Sequence, residues 1–470
     1  MPLNSIHFWM VFPVIFIVYW LIPIKFKQAR KIWLVLVSYL LYMNWKPAFA
    51  LILLFITVVT FCGALSFDKV KSKKNALGWA FTLLSLAPLF VFKYYNFLND
   101  SLTSGLELVG LHLSLPGLNW AVPIGVSFFS FQAVGYMLDV YRGRFEPEKS
   151  FVDYLLFVSF FPQIMSGPIS KASEFLPQIK KPAPFSYEKG KQGLKFLLWG
   201  MFIKIVIADR LSLFVDTVYS NYSVHNGTTL FLASVFYSIQ IYCDFAGYSL
   251  LAIGLAKTLG FNLINNFRRP YLSVSVTDFW RRWHISLTRW LKENIYIPLG
   301  GNRCSKARCY FNILVTFLLS GIWHGAAWTF ILWGVLHGII LVLEKMAGVT
   351  VYEGHSPLVR GLRMLLTFLI VNFAWILFRS PDISTAFTII GTIFTSVGVP
   401  AVSEMGGAVI LILAVALSLL FFKELREEFF PGKVRVLDSS VFRGFAYVSL
   451  FCMIILFGVL DGGQFIYASF

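Results

Sequence analysis

The sequence predicts an all-α, polytopic membrane protein, and two observations carry that reading. The first is composition. Of 470 residues, 57% are hydrophobic and 13% charged, with a mean hydropathy of +0.72, whereas soluble domains carry about 25% charged residues. The second is that apolar runs recur along the whole chain, several reaching the roughly 20 residues that a helix needs to cross a bilayer.

In chain order, the first run, Phe8–Ile24, has no basic residue before it. It therefore reads as an uncleaved anchor and not as a cleavable signal. Ile32–Trp45, Phe49–Ser66 and Leu77–Tyr95 follow, separated by "KFKQARK" and "DKVKSKK". Val122–Val140 carries the polar intrusions Gln132 and Asp139, and Thr229–Leu255 carries Asp244. An acid inside an apolar run needs a partner, so these residues are read as lining a central cavity or tying helices together. Leu194–Val215, Met364–Phe378, Ala408–Phe422 and Phe442–Leu460 complete the series. With ambiguous pieces counted, about 11 or 12 crossings are expected. Neither an internal repeat nor a second soluble domain is visible. The reading is one membrane domain over 1–470, with a motif-bearing core over 120–340 and C-terminal helices over 360–470.

The net charge of +17 does not indicate nucleic acid, because the cations sit in short loops between spans. "KFKQARK", "DKVKSKK", "YRGRFEPEK" and "RRPYLSVSVTDFWRRW" alternate with loops poor in positive charge, such as "NDSLTSGLELVGLHLSLPG" and "SNYSVHNGTT". That alternation follows the positive-inside rule and places the N-terminus outside. Of the five cysteines, Cys304 and Cys309 share a basic loop; without further ligands they read as reduced thiols, and no metal site is expected.

One region, Arg268 to Gly338, interrupts the series. In "TDFWRRWHISLTRWLKENIYIPLGGNR", a single helix would place Trp280, Trp283, Leu287, Trp290 and Leu291 on one side. Asp278, Arg281, Arg282, Arg289 and Lys292 would fall on the other, with His284 at the border. Such a helix lies in the membrane interface, with Thr277 as its cap. The next run, Tyr310–Ser320, is about 11 residues, enough for roughly half the hydrocarbon. "SGIWHGAAWTFILWGVLHG" then carries His324 and His337 among Gly321, Gly325 and Gly334. A titratable imidazole at that depth marks either a functional site or a buried tie between helices. A short span ending near the bilayer centre at His324 would suit a reaction chamber. His337, 13 residues further on, is read as structural.

The blocks "DFWRRWHISLTRWLKENIYIPLGGNR" and "SGIWHGAAWTFILWGVLHG" resemble the membrane-bound O-acyltransferase family. Within it they resemble the branch that O-acetylates alginate and other bacterial polysaccharides. "VPIGVSFFSFQAVGYMLDVYRG", "FFPQIMSGPI", "IYCDFAGYSLLAIGLAKTLGF" and "AWILFRS" carry the same resemblance, which covers nearly the whole chain. It implies a helical body with interfacial and re-entrant helices around a central funnel, in a bacterial inner membrane. It also implies His324 as the catalytic residue, acting as general base or transient acyl acceptor, with His284 as the second polar position. Arg281, Arg282 and Arg289 would bind the phosphates of a donor such as acetyl-CoA, or lipid headgroups. No permanently bound cofactor is implied. The acceptor would be an extracytoplasmic polysaccharide, reached through an SGNH-type acetyltransferase partner, because the expected outer loops hold no carbohydrate-binding domain. Transfer of D-alanine to teichoic acid is the alternative within the family. From another class, a proton-coupled transporter or flippase would use Asp244, His324 and His337 as a relay.

The orientation is open to a direct test. A cysteine placed at Lys71, in a background without native thiols, is expected to resist an impermeant thiol reagent added outside intact cells. Labelling from outside would reverse the topology.

Overall fold

The structure is a computed structural model and describes residues 2–69, 74–112, 115–165, 167–352, 354, 356–430, 432 and 439–459. Lys71, in the second basic loop, lies outside the described residues. Every regular element among the described residues is a helix. Many begin at a serine, asparagine or aspartate whose side chain accepts a backbone N–H of the first turn, among them Ser5, Ser150, Asn226, Ser305 and Asp382.

In the N-terminal half, α1 (Ile6–Leu21) and the segment leading into α2 (Lys27–Met43) meet at 104°, next to Pro23. The first two runs therefore form a bent pair and not two straight crossings. After α3 (Pro47–Lys69), helices α4 (Lys74–Leu89) and α5 (Tyr95–Glu107) join through a π-helical segment, Phe90–Tyr94. Next come α6 (Val126–Tyr141), α7 (Phe151–Ser159) and α8 (Ala172–Lys180). A second π segment, Phe202–Ala208, links α9 (Tyr187–Met201) to α10 (Asp209–Ser220). The 32-residue α11 (Gly227–Thr258) is almost wholly buried and packs on this broken pair.

Two buried polar groups that the sequence singled out, Asp244 and Gln132, are tied down. Lys204 Nζ lies 2.6 Å from Asp209 Oδ1 and 2.5 Å from Asp244 Oδ1. Gln132 Nε2 donates to Phe157 O at 2.5 Å, and its Oε1 accepts from Ser170 N. These residues hold helices together, one of the two roles expected of them; Asp139 pairs with Arg144 at 3.7 Å.

The second half holds α12 (Val276–Arg282), α13 (Ile285–Leu291) and a third π segment, Lys292–Tyr296. The hairpin of α14 (Lys306–His324) and α15 (Trp328–Ala347) follows, then α16 (Pro357–Arg379), α17 (Ile383–Thr395), α18 (Gly407–Phe429) and α19 (Ser440–Phe457). Among the described residues, seven helical stretches are long and apolar enough to cross a membrane, or eight with the bent α1–α2 pair. This falls short of the expected number because other apolar runs are divided among shorter helices, as Leu194–Val215 is between α9, a π segment and α10. At 16 residues, α6 reaches only about 24 Å.

Two expectations for the core region change. Helix α14 has 19 residues, a length of about 28 Å and not a half-span. Ser305 caps it inside the basic loop, before the apolar run begins. The expected interfacial helix is broken, since α12 stops at Arg282 and His284 turns left-handed with φ 44°. Its cap is Ser275, whose Oγ accepts from Asp278 N at 3.0 Å, while Thr277 bonds Glu344. Trp280 and Trp283 are buried in protein and do not lie at an acyl boundary.

Helices α14 and α15 pack with backbones in contact. A Cβ on Gly334 would stand 3.0 Å from Gly321 Cα and collide with Phe317 O. Gly334→Leu should therefore lower the thermal midpoint of the detergent-solubilised protein, by the roughly 1–3 kcal/mol or more that overpacking costs. Gly361→Ala, on an open face of α16, should leave the midpoint unchanged or raise it slightly.

Candidate active site

The hairpin and the broken α12–α13 segment build a column of alternating histidine and tryptophan rings. In order these are His284, Trp323, His324, Trp333, His337 and Trp280, with successive ring centroids 5.8, 4.9, 5.0, 4.8 and 5.2 Å apart. All six are buried. Trp333 and His337, four residues apart on α15, share one helix face, and Phe378 of α16 packs edge-on against His324 at 5.3 Å. The two expected site histidines are thus brought together, with the Trp323 indole touching both. His337 joins them: Trp280 Nε1 donates to its Nδ1 at 3.3 Å. A neutral His337 therefore carries its proton on Nε2.

His284 is fully buried, not at the border of a helix face. Asn266 braces it. The Asn266 carbonyl accepts from Ile285 N at 2.9 Å, and its Oδ1 accepts from Ser286 N at 3.0 Å. The same Oδ1 is 3.3 Å from His284 Nδ1. An acceptor already holding one N–H calls for a proton on His284 Nδ1, so Nε2 presents a lone pair. That Nε2 has no partner among the described residues.

At the other end of the layer, Lys93 Nζ donates to Trp323 O at 2.8 Å, His324 O at 3.0 Å and Ser127 Oγ at 3.4 Å. The last carbonyls of a helix lack intrahelical donors and carry partial negative charge. A lysine from the π segment after α4 thereby fixes the end of the helix that bears His324.

Two openings lie next to His284 and His324, and they share no lining residue. A cavity of about 880 Å³ runs between α9, α11 and α18 to Asn266, beside His284. Lys195, Lys257, Arg268, Arg269 and Lys423 line it against the carboxylates Glu424 and Glu427. A cleft of about 20 Å³, room for little more than a water molecule, touches His324 itself. It is walled by Lys93, Trp323 and residues 122–128.

The three arginines read from the sequence do not gather around one phosphate. Arg282 pairs with Asp278 at 3.1 Å and Glu428 at 3.0 Å. Burial pulls its guanidinium down, but Asp278 and Glu428 together hold it above its ordinary value. Arg289 pairs with Glu174 at 2.6 Å on another side, and Arg281 is exposed. Cys304 and Cys309 are free thiols, with Cys309 Sγ 2.8 Å from Lys345 Nζ.

The sequence profile of the membrane-bound O-acyltransferase family matches residues 147–377. A probable alginate O-acetylase, AlgI, of Pseudomonas syringae pv. tomato is 34% identical over 90% of this chain and 82% of its own length. The chain belongs to the membrane-bound O-acyltransferase family. A peptidoglycan O-acetyltransferase of Helicobacter pylori is also 34% identical, over 80% of this chain and 76% of its own. A teichoic acid D-alanyltransferase of Bacillus subtilis is 26% identical over 55% of this chain and 65% of its own. The protein is therefore a multi-pass membrane O-acyltransferase of the AlgI type.

Sequence reasoning did not name Lys93, Asn266, Trp323 or Trp333 in this acyltransferase. Lys93 was within reach, as a single cation inside the apolar run Leu77–Tyr95. Asn266 carries no such signal, because only the left-handed turn at His284 brings it to the ring. Lys93→Met should slow acyl transfer by about 100-fold, the scale of a 1 Å displacement of a reacting group. It should also lower the thermal midpoint, since two buried carbonyls lose their donor at about 1–3 kcal/mol each. Wild-type rate and midpoint in that variant would remove Lys93 from the site.

Proposed function

We propose that this acyltransferase takes acetyl groups from acetyl-CoA on the cytoplasmic side and passes them across the inner membrane for O-acetylation of an extracytoplasmic polysaccharide. The observation that carries the reading is the His284–Trp323–His324 layer, with a large cationic cavity on the His284 side and a narrow cleft at His324. Two of its cations, Arg268 and Arg269, come from a basic loop that the positive-inside rule assigns to the cytoplasm. Lys195, Lys257 and Arg268 suit the phosphates of coenzyme A, and the end beside Asn266 points the thioester at the layer. The cleft follows a loop poor in positive charge, assigned to the outside together with the N-terminus.

In this reading His324 is the general base for a hydroxyl entering through the cleft. The hydroxyl oxygen bonds the thioester carbonyl carbon as its proton passes to the imidazole. The carbon–sulfur bond then breaks, and the proton returns to the departing thiolate. His284, with its Nε2 lone pair on the inner side, orients the donor end or relays the proton. An SGNH-type partner fits as the first acceptor, because a cleft this narrow does not take a polysaccharide chain. Alginate and peptidoglycan, the acceptors in the names of the relatives, are the acceptor classes this favours. D-alanyl transfer ranks second, on a likeness that covers about half the chain.

The test is substitution at the layer. His324→Gln, at wild-type abundance in proteoliposomes, should lose about 100- to 10,000-fold in acetyl transfer from labelled acetyl-CoA, the usual cost of removing a general base. His337→Gln keeps an acceptor for Trp280 Nε1 and should remain largely active. Near-normal transfer by His324→Gln would end its assignment as the base, and uptake of D-alanine in place of acetyl would move the protein to the teichoic acid branch.

A further inference from the structure

A second cavity, of about 290 Å³, opens between the α12–α13 segment and the α14–α15 hairpin. It shares no residue with the cationic cavity beside Asn266. Along α14 it runs from Ile313 to Ser320, about 10 Å. Trp280, Leu287, Leu291, Phe317 and Leu341 supply apolar walls.

Most polar groups in the wall are already engaged within the protein. Trp280 Nε1 bonds His337, Thr277 Oγ1 bonds Glu344, Thr316 Oγ1 bonds Asn312 O, and the Tyr296 hydroxyl bonds Asn302. Ser320 Oγ is the one buried polar side-chain atom of the wall without a partner among the described residues. A ligand with many polar groups would leave most of them unpaired here, which is costly, whereas hydrocarbon would not.

The cations of this segment divide by position. Arg282 and Arg289 are held by carboxylates. Arg281 and Lys292, which line the cavity, are exposed and have no carboxylate partner among the described residues. An apolar slot with two uncommitted cations at its edge, on the face assigned to the cytoplasm, complements a molecule with an anionic head and a hydrocarbon tail.

We infer that this cavity binds one anionic phospholipid of the cytoplasmic leaflet, its phosphate on Arg281 and Lys292 and an acyl chain against Leu287, Leu291, Ile313 and Phe317. One wall of the slot is Trp280, the terminal ring of the histidine–tryptophan column. A bound chain presses on the ring that orients His337 and, through Trp333, on the packing of His324. Lipid composition therefore tunes the acyltransferase from a site separate from donor and acceptor.

Binding is measured without reference to activity. The purified protein is incubated with mixed micelles of equal phosphatidylglycerol and phosphatidylcholine, and retained lipid is counted by native mass spectrometry. The wild type should keep one phosphatidylglycerol in preference to phosphatidylcholine. R281Q/K292Q should weaken that retention about tenfold or more, while R303Q, at another exposed cation of the same face, should not. Leu341→Trp, which fills the slot without changing charge, should also lose the lipid, and it decides the matter if the double variant does not fold. Equal retention of both lipids by the wild type overturns the inference. So does undiminished retention by a folded R281Q/K292Q or L341W protein, or displacement of the lipid by acetyl-CoA.

Discussion

Gly321 and Gly334 let the backbones of α14 and α15 touch, and the arrangement around His324 follows from that contact. A side chain at either position would push the helices apart. Trp333 could then no longer lie 5.0 Å from His324. In hydrocarbon there is no hydrophobic drive to press two apolar helices together, so close van der Waals packing at small residues has to supply it. The short turn over Gly325 to Ala327 completes the constraint by reversing the chain directly after His324.

The polar atoms of the site are held by different devices, each suited to a place without water. Lys93 supplies donors where α14 runs out of its own, from a π segment that offsets the lysine from a regular helix path. Asn266 fixes one tautomer at His284, and the Trp280 indole fixes the opposite one at His337. The column thus presents a lone pair at one end and an N–H at the other, with His324 between them. That polarity is a property of the neighbours and not of the histidines.

The cations are sorted in the same way. Glu174, Asp278 and Glu428 hold Arg289 and Arg282 in place as structural ties. Other cations are gathered around the large cavity or left at the rim of the smaller one. Net charge alone describes an affinity for the membrane surface and for anions. Pairing decides which cations remain available to a ligand.

The membrane class and the family were legible in the sequence, and so were His284 and His324 as candidates, because each is written in a local or cumulative signal. Apolar runs accumulate over the chain, and the blocks around His284 and His324 are contiguous. Among the described residues seven or eight candidate crossings stand against the 11 or 12 expected, and α14 is longer than its apolar run, since hydropathy marks neither helix breaks nor a cap inside a basic loop. The sequence also reads as one amphipathic interfacial helix where the chain breaks at a left-handed His284, because helical periodicity assumes an unbroken backbone. Only the tertiary structure decided that His337 stands in the same column as His324, that Lys93 holds the end of α14, and that Arg281, Arg282 and Arg289 part company. These contacts join residues up to 231 positions apart, and spacing along the chain carries no information about which of them meet.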